Sequence, residues 1–147
     1  MNARTFAMEN ELSLAASGQM GIDQLFQHCE GLQSSGDSAA AIALYQTWIE
    51  HTASPHKALA MFNLGSLLQS TADFPAAIAI YQRCITEQPH LAQAHINLGL
   101  LYEKLGQHEL ALQQWSNVVA NGLLSEKTDA TMQVAALNHI GRLHENK

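Results

Sequence analysis

The sequence specifies an all-α protein built from repeated antiparallel helix pairs, and three observations point there. The 147 residues are 47% hydrophobic with only three prolines, which suits one ordinary domain with a genuine core and a mostly helical chain. The triplet Asn63-Leu64-Gly65 returns unchanged thirty-four residues later as Asn97-Leu98-Gly99. Turn signals recur between helix-length segments, at Ser35-Gly36-Asp37, Thr71-Ala72-Asp73 and Leu105-Gly106-Gln107.

Taken in order, residues 1–20 are an N-terminal tail or an extra helix, between which the sequence does not decide. Helix pairs follow at about 21–34 with 38–52, 56–71 with 74–87, and 91–105 with 108–121, and a single helix spans about 127–145. Pro75 stands just inside its helix, where a missing N–H costs nothing. Pro55 and Pro89 punctuate the gaps between pairs. The repeat domain thus covers 21–147, with repeats at about 22–57, 58–91 and 92–125 and a partial fourth at 127–147.

The copies align residue by residue. Met61-x2-Leu64-Gly65-x2-Leu68, Ala77-x3-Tyr81 and Pro89 are followed by His95-x2-Leu98-Gly99-x2-Tyr102 and Ala111-x3-Trp115. A weaker copy precedes them in Leu25-x2-His28-Cys29-x2-Leu32 with Ala41-x3-Tyr45. A partial one follows in Leu137-x2-Ile140-Gly141-x2-His144. That last step is forty-two residues, so about eight extra residues fall near "LLSEKTDATMQ". The pattern resembles the tetratricopeptide repeat over roughly residues 22–147. The resemblance implies a right-handed superhelical solenoid. In it, the small residues Gly65, Gly99, Gly141 and Cys29 let paired helices approach, as do Ala41, Ala77 and Ala111 from the second helix. Tyr45, Tyr81 and Trp115 fill space toward the next repeat.

Charge and motifs exclude several functions. A formal charge of −6, concentrated where residues 1–73 hold two basic and seven acidic side chains, argues against nucleic acid or an anionic membrane as partner. No apolar run reaches the roughly 18 residues of a membrane span, and the acids in "MNARTFAMENELSLAAS" break any signal peptide, so a cytoplasmic location is expected. Cys29 and Cys84 make no disulfide framework and are expected reduced, as small apolar fillers. The histidine pairs His51/His56, His90/His95 and His139/His144 lie five apart, about 140° around a helix. No metal or cofactor is expected, and His28 and His95 read as packed, hydrogen-bonded side chains. There is no GxSxG, phosphate loop or acidic catalytic cluster, hence no catalytic residue and no enzyme in this chain.

The repeated Asn is the better clue to function. It neither packs like Leu64 nor permits close approach like Gly65, and Asn is a mediocre helix former. In the repeat family this place faces the concave groove, where an amide can donate to and accept from a peptide backbone. The alternative is that Asn63 and Asn97 merely solvate the groove wall or hydrogen-bond between neighbouring helices. Such an Asn ladder characterises the tetratricopeptide region of O-linked N-acetylglucosamine transferases and their bacterial SPINDLY-type relatives, which "ALNHIGRL" also resembles. Gln27 and His139 stand at the corresponding places of the first and last copies.

The resemblance implies inner faces offering Phe26, Gln27 and Glu30, then Phe62, Asn63 and Ser66, then Gln93, Asn97 and Leu100. None is cationic, against a chaperone-type carboxylate clamp. The expectation is a protein-interaction module gripping a peptide through Asn63, Asn97, Phe62, Ser66, Gln93, Leu100, Gln27 and His139. It would be the recognition part of a longer protein, with a glycosyltransferase downstream if the SPINDLY likeness holds. The alternative is a scaffold that self-associates through its terminal helix, whose Val134, Leu137, Ile140 and Leu143 form an apolar face larger than one repeat can cover.

Overall fold

The structure, a computed structural model, describes residues 3–120 and 130–145. Among them are eight α-helices and no strand: α1 (Ala3–Ala16), α2 (Ile22–Ser34), α3 (Ser38–His51), α4 (Lys57–Ser70), α5 (Phe74–Glu87), α6 (Ala92–Lys104), α7 (His108–Ala120) and α8 (Ala130–Glu145). Bounds expected for the repeat helices agree within a residue from α2 through α7. The expected start of α8 at 127 and most of the extra-residue segment lie outside the described residues.

The chain divides into two compact units, Met1–Ile80 and Tyr81–Lys147, with α5 contributing its first half to one and its second half to the other. In the first unit α3 is central, and α1, α2 and α4 pack against it. Leu25, Leu44, Trp48, Ile49, Met61 and Leu64 form the core. Trp48 is buried, and its Nε1–H donates to the Met20 carbonyl at 2.7 Å. That bond satisfies the indole and fastens the link between α1 and α2 to the core. Cys29 brings Sγ to 3.7 Å from the Ala41 carbonyl, so the small-residue crossing expected between α2 and α3 is present. His28 is half-buried and faces Glu11 of α1, Nδ1 to Oε1 3.0 Å.

The turns within the helix pairs share one geometry. Asp37 N–H donates to the Leu32 carbonyl and Gly36 N–H to Gln33; Asp73 pairs likewise with Leu68 and Ala72 with Gln69; Gln107 with Tyr102 and Gly106 with Glu103. These are Schellman closures, which need a left-handed residue just past the helix end. Gly36 (φ 82°) and Gly106 (φ 76°) meet that need, whereas Ala72 adopts φ 64° despite its Cβ. The aspartates then start the next helix. Asp37 Oδ1 accepts from Ala40 N–H at 3.1 Å, and Asp73 Oδ1 from Ala76 N–H at 3.4 Å.

In the second unit α7 packs against both α6 and α8, burying Leu98, Leu101, Ala111, Trp115, Val118, Ala136 and Leu143. A Cβ placed on Gly99 would lie 3.1 Å from the Trp115 ring, so this glycine is a true close approach. Gly141 corrects the sequence reading: a Cβ there would meet nothing within 4 Å. The reason is that, among the described residues, no second helix closes on that side of α8. His95 is buried, with Nε2 2.9 Å from the Pro89 carbonyl and Nδ1 3.0 Å from the Gln114 side-chain amide. Each ring nitrogen thus lies within hydrogen-bonding distance of an oxygen, Nε2 of the Pro89 carbonyl and Nδ1 of Gln114 Oε1.

Candidate interaction groove

On α2, Phe26, Glu30 and Gln33 recur at i, i+4 and i+7, so one helical face carries all three. On α4, Asn63, Ser66, Leu67 and Ser70 recur in the same way. With Tyr45 of α3 between them, these faces line an open hollow of about 460 Å³. Its lining combines two aromatic rings (Phe26, Tyr45), the Leu67 side chain, amides, hydroxyls and one carboxylate.

The floor is a hydrogen-bonded chain. Tyr45 bonds both Asn63 and Cys29. Burial pushes the Tyr45 phenol up to about 12, Cys29 beside it adds to that, and Asn63 opposes it. Burial likewise pushes the Cys29 thiol up to about 12 and that of Cys84 up to about 11. Both cysteines are buried thiols outside any disulfide and stay protonated at neutral pH, the opposite of a reactive thiol.

The second unit repeats the motif. Asn97 Nδ2–H donates to the Tyr81 hydroxyl at 3.3 Å, and Asn97 Oδ1 accepts from Gln93 Nε2–H at 3.0 Å. Each repeated Asn therefore bonds a tyrosine of the preceding helix, while staying half-buried at the surface. A separate hollow of about 410 Å³ in this unit is bordered by Leu100, Glu103, Lys104 and His108 of the α6–α7 region and by His139, Arg142 and Leu143 of α8. Glu103 holds its wall together: one carboxylate oxygen accepts from Trp115 Nε1–H at 2.8 Å and lies 2.8 Å from His139 Nδ1, and the other pairs with Arg142. His139 also stacks on Trp115, ring centres 4.5 Å apart and 6° from parallel.

The expected groove residues thus fall into separate settings. Asn63 and Ser66 line the first hollow. Gln93 and Asn97 bond one another on α6, and Leu100 and His139 border the hollow beside α8. Gln27 is exposed and Phe62 half-buried, and neither lines the first hollow. Leu67, Tyr45, Gln33 and Ser70 line the hollow as well but are not in the expected set. The last two could have been found one helical turn or two along the faces of Phe26 and Asn63. The cations Lys104 and Arg142 lie beyond Leu100, where the sequence reading of the inner faces stopped. Among the described residues no three His, Cys, Asp or Glu side chains group as metal ligands, and no helix is long and apolar enough to cross a membrane.

An all-α array of helix pairs with Schellman turns and an exposed polar face on its first helices is a repeat-type interaction scaffold. The chain belongs to the tetratricopeptide repeat family, whose model matches residues 31–92 and again 62–122. Such proteins are typically non-enzymatic modules for protein–protein interaction. A crystal structure of MamA is similar with a TM-score of 0.68 and 21% identity, over 99% of this chain and 85% of that one. A second MamA crystal structure gives 0.66 and 22%, over 85% of this chain and 63% of that one. At these identities the likeness is one of fold. No curated protein matches the sequence.

Proposed function

We propose that this chain binds a peptide segment of a partner protein along the first helices of its repeats, with Asn63 and Asn97 gripping the peptide main chain. The observation that carries this reading is the recurrence of a tyrosine-held asparagine: Tyr45–Asn63, with Asn63 lining the first hollow, and Tyr81–Asn97 in the second unit. An amide presents donor and acceptor together, as a peptide backbone does. The test is the Asn63→Ala, Asn97→Ala double variant in a pull-down followed by affinity measurement. Each net hydrogen bond is worth roughly 0.5–1.5 kcal/mol, so the pair should weaken binding about five- to a hundred-fold. Unchanged affinity with normal helical circular dichroism refutes the grip. The SPINDLY-type resemblance extends the proposal to a glycosyltransferase on the same polypeptide. A nucleotide-sugar domain encoded downstream in the gene is the observation that supports it.

A second reading is self-association through α8. Leu137 is 50% exposed while Ala136 and Leu143 of the same helix are buried, and Gly141 has open space beside it. One side of α8 packs in the second unit and the other presents an apolar residue to solvent, a seat that a second copy would fill.

A further inference from the structure

We infer that the hollow between α2 and α4 selects a partner segment carrying a cationic side chain, arginine above all, seated on Phe26 with its charge against Glu30. This rests on the peptide-binding reading and adds to it the chemistry of the partner.

The hollow has one charge. Of its lining residues only Glu30 is an acid or a base by formal charge, and burial keeps Tyr45 a protonated phenol. Glu30 is exposed, so its carboxylate reaches a ligand without a prior burial cost. Phe26 lies one helical turn before it on the same face and is half-buried, leaving ring surface for a guanidinium or an aliphatic stem. Gln33, Ser66 and Ser70 on the walls are neutral and can accept further N–H groups of a guanidinium fork. An anionic side chain would meet the Glu30 carboxylate instead.

The wider field has the same sign. Residues 1–80 carry two basic and seven acidic side chains, a net of −5. This draws basic segments in and disfavours acidic ones. Arginine fits better than lysine, because its planar fork both stacks on an aromatic ring and bonds a carboxylate with two donors.

The experiment selects random linear peptides displayed on phage against the whole chain, then measures affinity for the best synthetic peptide and its Arg→Gln version. The expected result is enrichment of arginine or lysine at one position. Glu30→Gln should weaken the selected peptide about two- to fivefold, with the loss shrinking as salt rises. The Arg→Gln peptide should bind Glu30→Gln and the parent protein equally. Glu9→Gln, an equal change of net charge at an exposed position of α1, should leave affinity unchanged. Three results overturn the inference. Peptides without cations whose binding needs Asn63 but ignores Glu30→Gln sink the cationic seat and leave the groove standing. Equal losses with Glu9→Gln and Glu30→Gln show a diffuse field in place of a seat. No peptide responding to either Asn63→Ala or Glu30→Gln refutes the groove itself.

Discussion

Gly31, Gly99 and Gly141 all sit within helices, yet alanine at each should act differently. In an exposed helix interior, Gly→Ala gains roughly 0.5–1 kcal/mol because glycine loses more backbone freedom on folding. At Gly31 and Gly141 a new Cβ meets nothing within 4 Å, so the whole gain should appear. At Gly99 the Cβ would stand 3.1 and 3.2 Å from two Trp115 ring atoms and 3.4 Å from Gln114 Cβ, where ordinary carbon contacts begin at about 3.5 Å. Trp115 would have to retreat by a few tenths of an ångström. It is 2% exposed, its Nε1–H is bonded to Glu103 at 2.8 Å and its ring is stacked on His139, so retreat strains three contacts at once. Overpacking of this kind costs about 1–3 kcal/mol, which outweighs the propensity gain. Gly99→Ala should therefore lose about 1 kcal/mol while Gly31→Ala gains. Given urea slopes of about 1–3 kcal/mol per molar, their midpoints followed by circular dichroism should differ by roughly 1 M. A Gly99→Ala midpoint raised as much as that of Gly31→Ala refutes the argument and shows that Trp115 moves freely.

Ala72 holds a left-handed conformation that costs an L-residue about 1–2 kcal/mol; after subtracting the extra chain entropy of glycine, about 0.4–1 kcal/mol, Ala72→Gly should stabilise by roughly 0.5–1 kcal/mol. A lower melting temperature for that variant contradicts the turn geometry. For α8, sedimentation should show association that grows with concentration and is abolished by Leu137→Glu, since a charge on that face resists burial. A strict monomer at high concentration removes the self-association reading.

The fold was legible because its determinants are local and repeated. A glycine or cysteine opposite an alanine, an aromatic four residues past that alanine, and an x-Gly-Asp or x-Ala-Asp turn each act within one helix pair, so thirty-four-residue spacing exposes them. Gly141 shows where this fails: the letter matches Gly99, but the role needs a neighbouring helix. The groove was half legible. Asn63 and Ser66 were found from the repeat, whereas Tyr45 looked like space filling because its hydroxyl's partner lies eighteen residues on, in another helix pair. The Glu103 network was invisible for the same reason, since Trp115, His139 and Arg142 come from two other helices.

Bonding to a neighbouring helix and gripping a peptide looked like rival roles for the repeated asparagine, yet counting hydrogen-bonding positions makes them compatible. A side-chain amide has two N–H donors and an oxygen with two lone pairs. Tyr81 takes one donor of Asn97 and Gln93 fills one lone pair, leaving one of each for a ligand. The tyrosine also fixes the amide's orientation, so a peptide would not have to pay its rotamer entropy. This gives a reason for where the asparagine occurs. Asn63 follows Tyr45 and Asn97 follows Tyr81, each with a hydroxyl to hold it. At the last copy the preceding aromatic is Trp115, whose Nε1–H is committed to Glu103 and offers no acceptor to an amide. There the corresponding residue is His139, which stacks on the indole instead. In these three copies an asparagine stands in front of each tyrosine and a histidine in front of the tryptophan, as the acceptor each aromatic can or cannot offer would lead one to expect.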